Sequence, residues 1–417
     1  MSASFRTGAP SSLRRVHRGL ALSRILATGG VSRTMLANEL GLSQMGVSRV
    51  VRDLMDAGLV EEAGHLERET GPGRSQTLLR IRPDGVFACG IALSAYGTEI
   101  AIADAVGGVI GRRRVRVESH TDGQRVIDAS SHALVSLIAE LDIPRERIAG
   151  VGIAVAAHLD SKRRCIVGAG YLGWKPFDLV SPVERITGLP VQADNITNAL
   201  ALAERSFGVA RDASDVVLVR SATSLGAATL RDGRVVRGYE QRAGRIGHFR
   251  HGRTGLVCSC GRNDCLNCSA SGWSVLARLG IVSDPTYRTE MMTAYADAID
   301  QLAIAPETRL GAHAVRTLRA AGAALADALQ IVDLFLEPEV LVLDGSMSRV
   351  AAYVEGMRRR LEQSGEQGRE LAGKLRIGEV RSVKAAAMLV LLDRVYSPAL
   401  DLTTYLPPIG TSAGDGR

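Results

Sequence analysis

The sequence contains few lysines, few aromatic residues and no long hydrophobic run. Only four of its 51 basic residues are lysines, and aromatic residues make up 4% of the 417 positions. The longest apolar segment, residues 385–392, is far shorter than the roughly 18 residues that a membrane-spanning helix needs. Arginines interrupt the N-terminal segment, which argues against the apolar core of a signal peptide. The sequence therefore predicts a cytoplasmic protein with no membrane partner.

Cysteine is also scarce, and its distribution is uneven. Four of the six cysteines lie between residues 258 and 268. Because thiols stay reduced in the cytoplasm, this clustering favours a metal site over disulfide bonds. His248, Cys258, Cys260 and Cys265 form a Cys₃His set, and such a set suits one structural Zn²⁺ ion in tetrahedral geometry.

The residues leave two ligand assignments of this site open. Cys268 could serve in place of Cys265, and His251 competes with His248. A cluster of reduced, merely buried cysteines is the competing interpretation, and a nucleic-acid-binding zinc finger is disfavoured because no basic, aromatic-rich surround is present. The segment thus predicts a zinc site without naming a function.

The positive charge of the chain is concentrated at its N-terminal end. Residues 1–52 contain eight arginines and a single acid, Glu39, which gives the same +7 as the whole chain. The remaining residues are therefore neutral overall. This asymmetry predicts a nucleic-acid-binding end joined to a neutral body.

Three short N-terminal segments show apolar residues at helical spacing, namely residues 16–26, 33–40 and 44–57. Ser43 is a suitable N-cap residue for the third segment, and Gly41 allows a tight turn before it. Two short helices joined by a glycine turn are the signature of a helix-turn-helix motif.

Two predicted strands, residues 59–63 and 76–81, flank a GPGR loop that ends in Arg74. A hairpin with a basic loop suits a wing that lies along a DNA backbone. We therefore expect a disordered N-terminus over residues 1–13 and a winged helix-turn-helix DNA-binding domain over residues 14–84. A three-helix packing module that does not bind DNA is the alternative.

The third helix of this unit is the predicted recognition helix. Its N-terminal and outward residues can reach base edges and phosphates in the major groove. The sequence does not decide which of them contacts bases. With the wing arginine, the predicted DNA-binding residues are Ser43, Gln44, Ser48, Arg49, Arg52 and Arg74.

Beyond residue 85, predicted strands alternate with predicted helices. The run at residues 148–157 is apolar throughout, as expected for a strand in a sheet that is covered on both faces. Helical spacing recurs at residues 125–141, 197–207 and 311–335. The pattern predicts an α/β body, with two lobes on either side of a cleft, and a loose tail over residues 407–417.

Several segments of the body resemble the ROK family of bacterial sugar kinases and sugar-responsive repressors. The match covers residues 86–400, and its most specific part is the Cys/His segment RAGRIGH…CSCGRNDCLNCSAS. Further matches are LGWKPFDL, DNITNALALAE, LRDGRVVRG and EPEVLVLDG. The resemblance implies an actin-like ATPase architecture with two ribonuclease-H-like lobes. One lobe would comprise about residues 86–205 with 382–400, and the other residues 206–381.

The resemblance also implies that the phosphoryl-transfer residues are missing. ROK kinases have a general-base Asp directly after the Asn that matches Asn195, and that position is Ile196 here. An isoleucine cannot accept a proton. The first phosphate loop has Ala92 at its Asp position, and the second retains only Gly226, with Ser224 in place of a glycine. We therefore expect no catalytic residues and no enzymatic activity.

The sugar site of the family has changed as well. Two glutamates that contact sugar hydroxyls in the family correspond to Arg245 and Asn267, whereas Asn195 and His248 are retained. These four residues are the predicted ligand-binding positions. Replacing two acceptors by a cation and an amide leaves a site that mainly donates hydrogen bonds. Two interpretations stay open: a pocket that binds nothing, and a pocket for a sugar phosphate or sugar acid with Arg245 as its counter-charge.

Together these features predict a DNA-binding transcriptional regulator, a repressor of carbohydrate-related genes. We expect it to bind a double-stranded DNA operator as a homodimer or homotetramer. Its kinase-like body would sense a small effector (a sugar, sugar phosphate or sugar acid) and mediate dimerisation, with one structural zinc ion per chain. The competing hypothesis is an ATP-dependent sugar kinase with an N-terminal DNA-binding appendage.

Overall fold

The structure is a computed structural model that describes residues 10–66, 76–94, 97–117, 122–168, 172–288, 291–305, 310–398, 400 and 402. The predicted contact residue Arg74, residues 1–9 and the predicted loose tail lie outside these ranges. Within the described part of the chain, no helix is both long enough and apolar enough to cross a membrane.

The N-terminal unit consists of three helices and a three-stranded antiparallel sheet with the strand order β1-β3-β2. Caps set the ends of its helices: the Ser43 hydroxyl accepts a hydrogen bond from Gly46 N at 3.1 Å, and Gly41 ends α2 in the left-handed conformation. The elements are α1 (Pro10–Thr28), β1 (Val31–Ser32), α2 (Arg33–Leu40), α3 (Gln44–Asp56), β2 (Val60–Leu66) and β3 (Gln76–Ile81).

Helix α1 is longer than the sequence pattern predicts. It begins at Pro10, inside the segment for which the sequence predicts disorder. Proline fits the first turn of a helix because its missing N–H has no partner there. Arg14 and Arg18 of α1 both donate to the carboxylate of Asp53 on α3. This pairing holds the early turns of α1 against the third helix.

The first lobe of the body is built on a five-stranded sheet with the order β11-β7-β4-β5-β6. Helix α4 covers one face of the sheet, and α6 and α13 pack on the other. Its elements are β4 (Phe87–Ser94), β5 (Gly97–Asp104), β6 (Val109–Val115), α4 (Gly123–Glu140), β7 (Ile148–Val155), β8 (His158–Leu159), β9 (Cys165–Gly168), β10 (Phe177–Asp178), α5 (Ser181–Thr187), β11 (Val191–Asn195), α6 (Ile196–Phe207) and α13 (Ser382–Val390), which continues as a π-helix over Leu391–Val395.

Two glycines of this sheet allow α13 to approach unusually closely. A Cβ atom at Gly90 would lie 2.4 Å from Val383 O, and one at Gly152 would lie 1.7 Å from Ala386 O. Any side chain at either position would therefore clash with the helix backbone. On the opposite face of the same sheet, Ile91 of β4 and Leu134 of α4 belong to one buried core.

The second lobe is built on a five-stranded sheet with the order β14-β13-β12-β15-β16. Its helices enclose a core around Trp273, Tyr295 and Tyr353, which are all fully buried. The elements are β12 (Val216–Ser221), β13 (Leu225–Arg231), β14 (Arg234–Val235), α7 (Asn267–Ala270), α8 (Gly272–Arg278), α9 (Met292–Ile304), α10 (Ala312–Leu336), β15 (Val340–Asp344), α11 (Ala351–Glu362), α12 (Gly365–Lys374) and β16 (Leu375–Ile377).

Within the described ranges the chain crosses between the lobes twice, and one buried carboxylate accepts hydrogen bonds from both crossings. Glu204, near the end of α6, has no solvent exposure. Its Oε2 accepts from Val209 N at 2.9 Å, on the outgoing crossing. Its Oε1 accepts from Glu379 N and Val380 N, both at 2.7 Å, on the return. Glu204 therefore joins the two connections that define the hinge.

We expect Glu204→Gln to destabilise the protein by about 2–4 kcal/mol, because the amide NH₂ would face a backbone N–H and leave buried donors unpaired. The measurement is the free energy of unfolding in urea. The matched control is Glu140→Gln, since Glu140 forms an exposed ion pair with Arg113 and its loss should cost at most about 1 kcal/mol. Equal stability of the two variants would contradict the assigned role of Glu204.

Candidate metal centre and interlobe cleft

Short backbone hydrogen bonds bring His248 and three cysteines together. His248 ends a 3₁₀ turn, and Phe249 O then accepts from Leu266 N at 2.8 Å, which aligns the histidine with the cysteine segment. Within that segment Cys258 N donates to Arg262 O at 2.8 Å, and Gly261 N donates back to Cys258 O at 2.8 Å. The result is a tight knuckle with its thiols directed inward.

The donor atoms of His248, Cys258, Cys260 and Cys265 all lie within 4.8 Å of one another. The Cys258 sulfur is 3.6 Å from His248 Nδ1, and the sulfurs of Cys260 and Cys265 are 3.4 Å apart. Around a tetrahedral zinc ion with Zn–S bonds of about 2.3 Å, donors are separated by about 3.7 Å. The spacing of this Cys₃His cluster therefore fits a tetrahedral metal ion.

The two alternative ligands lie outside this cluster. His251 instead has Nε2 at 3.8 Å from an oxygen of Asp327. The Cys268 thiol hydrogen-bonds to Cys258, and this bond, together with His248 and against the effect of burial, lowers the pKa of Cys258. A lowered pKa favours the thiolate, which is the form that binds metals.

Polar side chains also surround the cluster. Asn267 Nδ2 lies 3.7 Å from the Cys258 sulfur, and Arg262 Nη2 lies 3.3 Å from the Cys265 sulfur. Outer hydrogen bonds of this kind orient ligands and partly neutralise thiolate charge. The Asn267 side chain also accepts from Leu225 N at 2.8 Å through Oδ1, and the residue is only 4% exposed.

A cavity of about 380 Å³ lies between the lobes, next to the Cys₃His cluster. Of the predicted ligand-binding residues, Asn195, Arg245 and His248 line it, whereas Asn267 does not. The polar part of the lining includes the start of α6 and the β12–β13 turn. The lining residues with polar side chains are Ser94, His158, Asn195, Thr197, Asn198, Arg220, Thr223, Ser224, Gln241, Arg245, His248, Ser259 and Cys260.

The side chain of Asn195 is used in capping and in a backbone contact. Its Oδ1 accepts from Thr197 N at 2.9 Å and so caps α6, while its Nδ2 donates to Ala157 O at 3.0 Å. Ile196, the first residue of α6, also lines the cavity and is 3% exposed. This wall of the cleft therefore presents an apolar side chain.

Arg245 is placed in the cleft by a tight backbone approach. Gly244 has φ +85°, and a Cβ atom there would lie 1.9 Å from Ala227 O. Gly244 O accepts from Ala227 N at 2.8 Å, which ties the segment to β13. Arg245 is exposed, and within the described ranges its guanidinium has no carboxylate partner. The neighbouring Arg242, by contrast, pairs with Glu240 at 3.1 Å.

An ion pair that the sequence analysis missed lies at the ends of two central strands. Arg220 of β12 and Asp344 of β15 are register partners, with Arg220 Nε 3.6 Å from a carboxylate oxygen of Asp344. Both side chains are 14% exposed, and burial raises the pKa of Asp344. The sequence feature that could have revealed this ion pair is the charged residue at the end of each of two apolar runs, VVLVR and VLVLD.

A second buried carboxylate, Asp194, was also missed. Its side chain is 3% exposed and accepts from Arg237 Nη1 at 2.8 Å, Asn198 Nδ2 at 2.9 Å and Arg163 Nη1 at 3.4 Å. Arg237 belongs to the second lobe, whereas Asp194 and Arg163 belong to the first. The ion pair between Asp194 and Arg237 therefore crosses the cleft and joins the two lobes at this point.

The predicted DNA-binding residues of α3 lie on one surface. Ser43, Gln44, Ser48, Arg49 and Arg52 are all exposed, whereas the opposite face of the helix is buried. The unit that carries them contacts the body through Arg147, which donates to Ala57 O at 3.4 Å. A second contact joins Ser23 Oγ of α1 to Tyr396 O at 2.8 Å.

Known proteins resemble both the body and the whole chain. A xylose repressor from Caldicellulosiruptor bescii is 28% identical over 265 residues, and a glucokinase from Streptomyces coelicolor is 28% identical over 270 residues. The matches cover 64% of this chain and 66% of the repressor, and 62% of this chain and 82% of the glucokinase. The matched region thus spans just under two thirds of the length of the repressor.

Solved structures with the same fold include a ROK family transcriptional regulator, a homologue of the Escherichia coli MLC protein. Its TM-score is 0.73 at 21% identity, and the alignment covers 93% of this chain and 98% of that one. The model of the ROK family matches residues 88–385, which include both sheets and the Cys₃His cluster. The chain therefore belongs to the ROK family and has its actin-like, two-lobed α/β fold.

Proposed function

We propose that the protein is a DNA-binding transcriptional repressor of carbohydrate-related genes whose kinase-like body senses an effector without phosphorylating it. The observation that carries this proposal is the exposed basic surface of α3, on a unit that is absent from a sugar kinase body. The similarity to a xylose repressor supports the same function.

The N-terminal unit, residues 14–84, would be a winged helix-turn-helix domain. Helices α2 and α3 are joined by the turn at Gly41, and β2 and β3 form the hairpin that carries the wing. In such domains the second helix of the motif enters the major groove. Here α3 would do so, with Arg49 and Arg52 at base edges or phosphates, and Arg74 would contact the backbone from the wing.

The repressor would act as a homodimer or homotetramer on a double-stranded operator. Two recognition helices bind half-sites that are one helical turn or a multiple of it apart, so a two-fold symmetric dimer reads an inverted repeat. A single helix-turn-helix unit offers only a small basic surface. Dimerisation would therefore add the affinity of a second unit and would fix the distance between the two half-sites.

The cleft would bind its effector without chemistry. Phosphoryl transfer needs a base on the accepting hydroxyl and donors around the transferred group. Ile196 offers no base, and Ala92 packs against Val383 of α13 instead of presenting a carboxylate. Arg220 and Asp344 neutralise each other at the ends of β12 and β15. The glucokinase relative suggests a sugar kinase as the alternative. A kinase would need other groups to supply the base and the carboxylate that Ile196 and Ala92 lack, and the charges that Arg220 and Asp344 use on each other.

A structural zinc ion would be held by His248, Cys258, Cys260 and Cys265. When bound, the ion would supply a tetrahedral cross-link and no catalytic step, because all four positions are taken by protein ligands. The cross-link would hold the His248 turn, and with it Arg245, at the wall of the cleft. Loss of the metal should therefore disturb effector binding as well as local folding.

Contacts around Tyr396 would connect the cleft to the DNA-binding unit. Helix α6 begins at the cleft and ends at Phe207, whose ring packs edge-on against Tyr396 at 6.2 Å. The hydroxyl of Tyr396 donates to Ala105 O at 2.5 Å, and its carbonyl accepts from Ser23 of α1. A shift of α6 on effector binding would therefore reach α1 through one residue, Tyr396.

DNA binding provides the first test. Arg49→Ala with Arg52→Ala should weaken binding to an operator fragment and lower the slope of log affinity against log salt by about one unit for each phosphate that is no longer neutralised. The measurement is fluorescence anisotropy over a range of salt concentrations. Arg125→Ala is the matched control, since this exposed arginine lies on α4 of the body. Unchanged affinity and slope in the double variant would refute the assignment of α3.

Zinc content provides the second test. We expect one zinc ion per chain by metal analysis, and a marked loss of zinc in Cys260→Ser. Cys165→Ser is the control, because Cys165 lies in β9 and outside the cluster. A folded wild-type protein that contains no zinc, or equal zinc in both variants, would contradict the assignment.

The absence of phosphoryl transfer provides the third test. With ATP, magnesium and a panel of hexoses and pentoses, we expect no sugar-dependent ADP release from the wild type. Ile196→Asp alone should not create activity, because Ala92 in β4 and Ser224 in the β12–β13 turn would stay unchanged. Sugar phosphorylation by the wild-type protein would establish the kinase hypothesis instead.

A further inference from the structure

The three cysteines of the Cys₃His cluster differ in their exposure to solvent. Cys258 is 2% exposed and Cys265 is fully buried. Cys260, by contrast, is exposed and lines the cavity between the lobes. A dissolved oxidant can therefore reach one sulfur of the cluster directly, that of Cys260.

Cys260 also has the surroundings of a reactive thiolate. The guanidinium of Arg262 hydrogen-bonds to Cys260, and its Nη2 atom lies 3.3 Å from the sulfur of Cys265. A nearby cation favours the thiolate over the thiol, and a bound metal ion likewise requires its cysteine ligands to be deprotonated. Thiolate character combined with access from solvent is what makes a cysteine sensitive to oxidants.

A second sulfur lies within reach of Cys260. The sulfurs of Cys260 and Cys265 are 3.4 Å apart, and a disulfide bond requires them to approach to about 2.0 Å. Cys260 lies on an exposed turn with Ser259 and Gly261, and a Cβ atom at Gly261 would meet nothing within 4 Å. The turn therefore has the space to carry Cys260 towards Cys265.

Cys265 is held in place to receive it. Its backbone forms a β-bridge with Arg250, and its carbonyl accepts from Cys268 N at 2.8 Å. The third sulfur of the cluster, that of Cys258, is engaged elsewhere. It lies 3.6 Å from His248 Nδ1 and accepts from an amide on the buried side of the cluster. The geometry thus favours Cys265 as the partner of an oxidised Cys260.

We propose that Cys260 and Cys265 form an oxidant-sensitive pair, in which a hydroperoxide converts the two ligands into a disulfide and so releases the metal. This inference rests on the zinc site of the proposed function. It assigns the pair a second role, as a site of reversible modification beside the cleft.

The reaction balances with hydrogen peroxide as the oxidant. The Cys260 thiolate attacks a peroxide oxygen, so that an S–O bond forms, the O–O bond breaks, and sulfenic acid and hydroxide result. The Cys265 thiolate then attacks the sulfenyl sulfur, which forms the S–S bond and expels a second hydroxide. Two protons from solvent convert both hydroxides to water. The two sulfurs together lose two electrons, and the peroxide gains them.

The disulfide would leave only His248 and Cys258 as ligands. A closed structural zinc site uses four protein ligands, so the metal would no longer be held. The 3₁₀ turn that ends at His248 follows Arg245, which lines the cavity. Oxidation would therefore release this turn and loosen one wall of the cleft.

The experiment treats the zinc-loaded, full-length protein with hydrogen peroxide. A chromogenic chelator that does not remove zinc from the untreated protein reports the release, and mass spectrometry after thiol alkylation identifies the linked cysteines. We expect each zinc ion released to be matched by one disulfide between Cys260 and Cys265. Dithiothreitol with added zinc should restore both the thiols and the metal.

Cys260→His supplies a metal ligand without a thiol and gives a Cys₂His₂ set, which also suits zinc. It should keep its zinc and release it at least about tenfold more slowly than the wild type in peroxide. Cys165→Ser is the matched control, because Cys165 is a partly exposed cysteine of β9 outside the cluster. Its release rate should equal that of the wild type.

The disulfide map of the wild type tests the proposal independently of any variant. Zinc that stays bound in peroxide, a disulfide between other cysteines, or irreversible oxidation of Cys260 without a disulfide would each overturn it. So would equally fast release from a zinc-loaded Cys260→His variant. These results leave the metal site of the proposed function intact, whereas a folded wild type that contains no zinc refutes both.

Discussion

The geometry of the cleft depends on the buried carboxylate of Glu204. Its two oxygens accept three backbone N–H groups from the only two stretches where the chain passes between the lobes within the described ranges. Because a buried carboxylate is costly unless its oxygens are hydrogen-bonded, this arrangement strongly favours one relative position of the crossings. Any motion of one lobe against the other must turn about this point or break these bonds.

Asp194 acts at the opposite side of the hinge in a different way. It is bonded to Arg237 across the cleft and to Arg163 and Asn198 within its own lobe. Side-chain pairs can exchange partners more easily than the backbone bonds of Glu204. Glu204 thus joins the two crossings through backbone N–H groups, whereas Asp194 joins the two lobes through side chains.

The cleft has the walls of a sugar kinase, but its polar atoms serve the protein's own structure. Asn195 caps α6, Asn267 supports β13 and the Cys₃His cluster, and Arg220 pairs with Asp344. The polar atoms of these residues are thus used in contacts within the protein. Arg245, by contrast, is exposed and has no carboxylate partner within the described ranges.

The sequence by itself determined the local features of this protein. Periodicity and caps such as Ser43 predicted α2 and α3, and cysteine spacing predicted the His248–Cys265 cluster, because these signals act over a few residues. It also predicted a changed kinase site, since Ile196 cannot be a base in any fold. The tertiary structure decided what depends on contacts between distant segments. It brought the donor atoms of His248, Cys258, Cys260 and Cys265 together in one group and left Asn267 out of the cavity lining. It placed Arg220 beside Asp344 and bound two distant crossings to Glu204, because parallel strand pairing and lobe packing join residues that no sequence spacing relates.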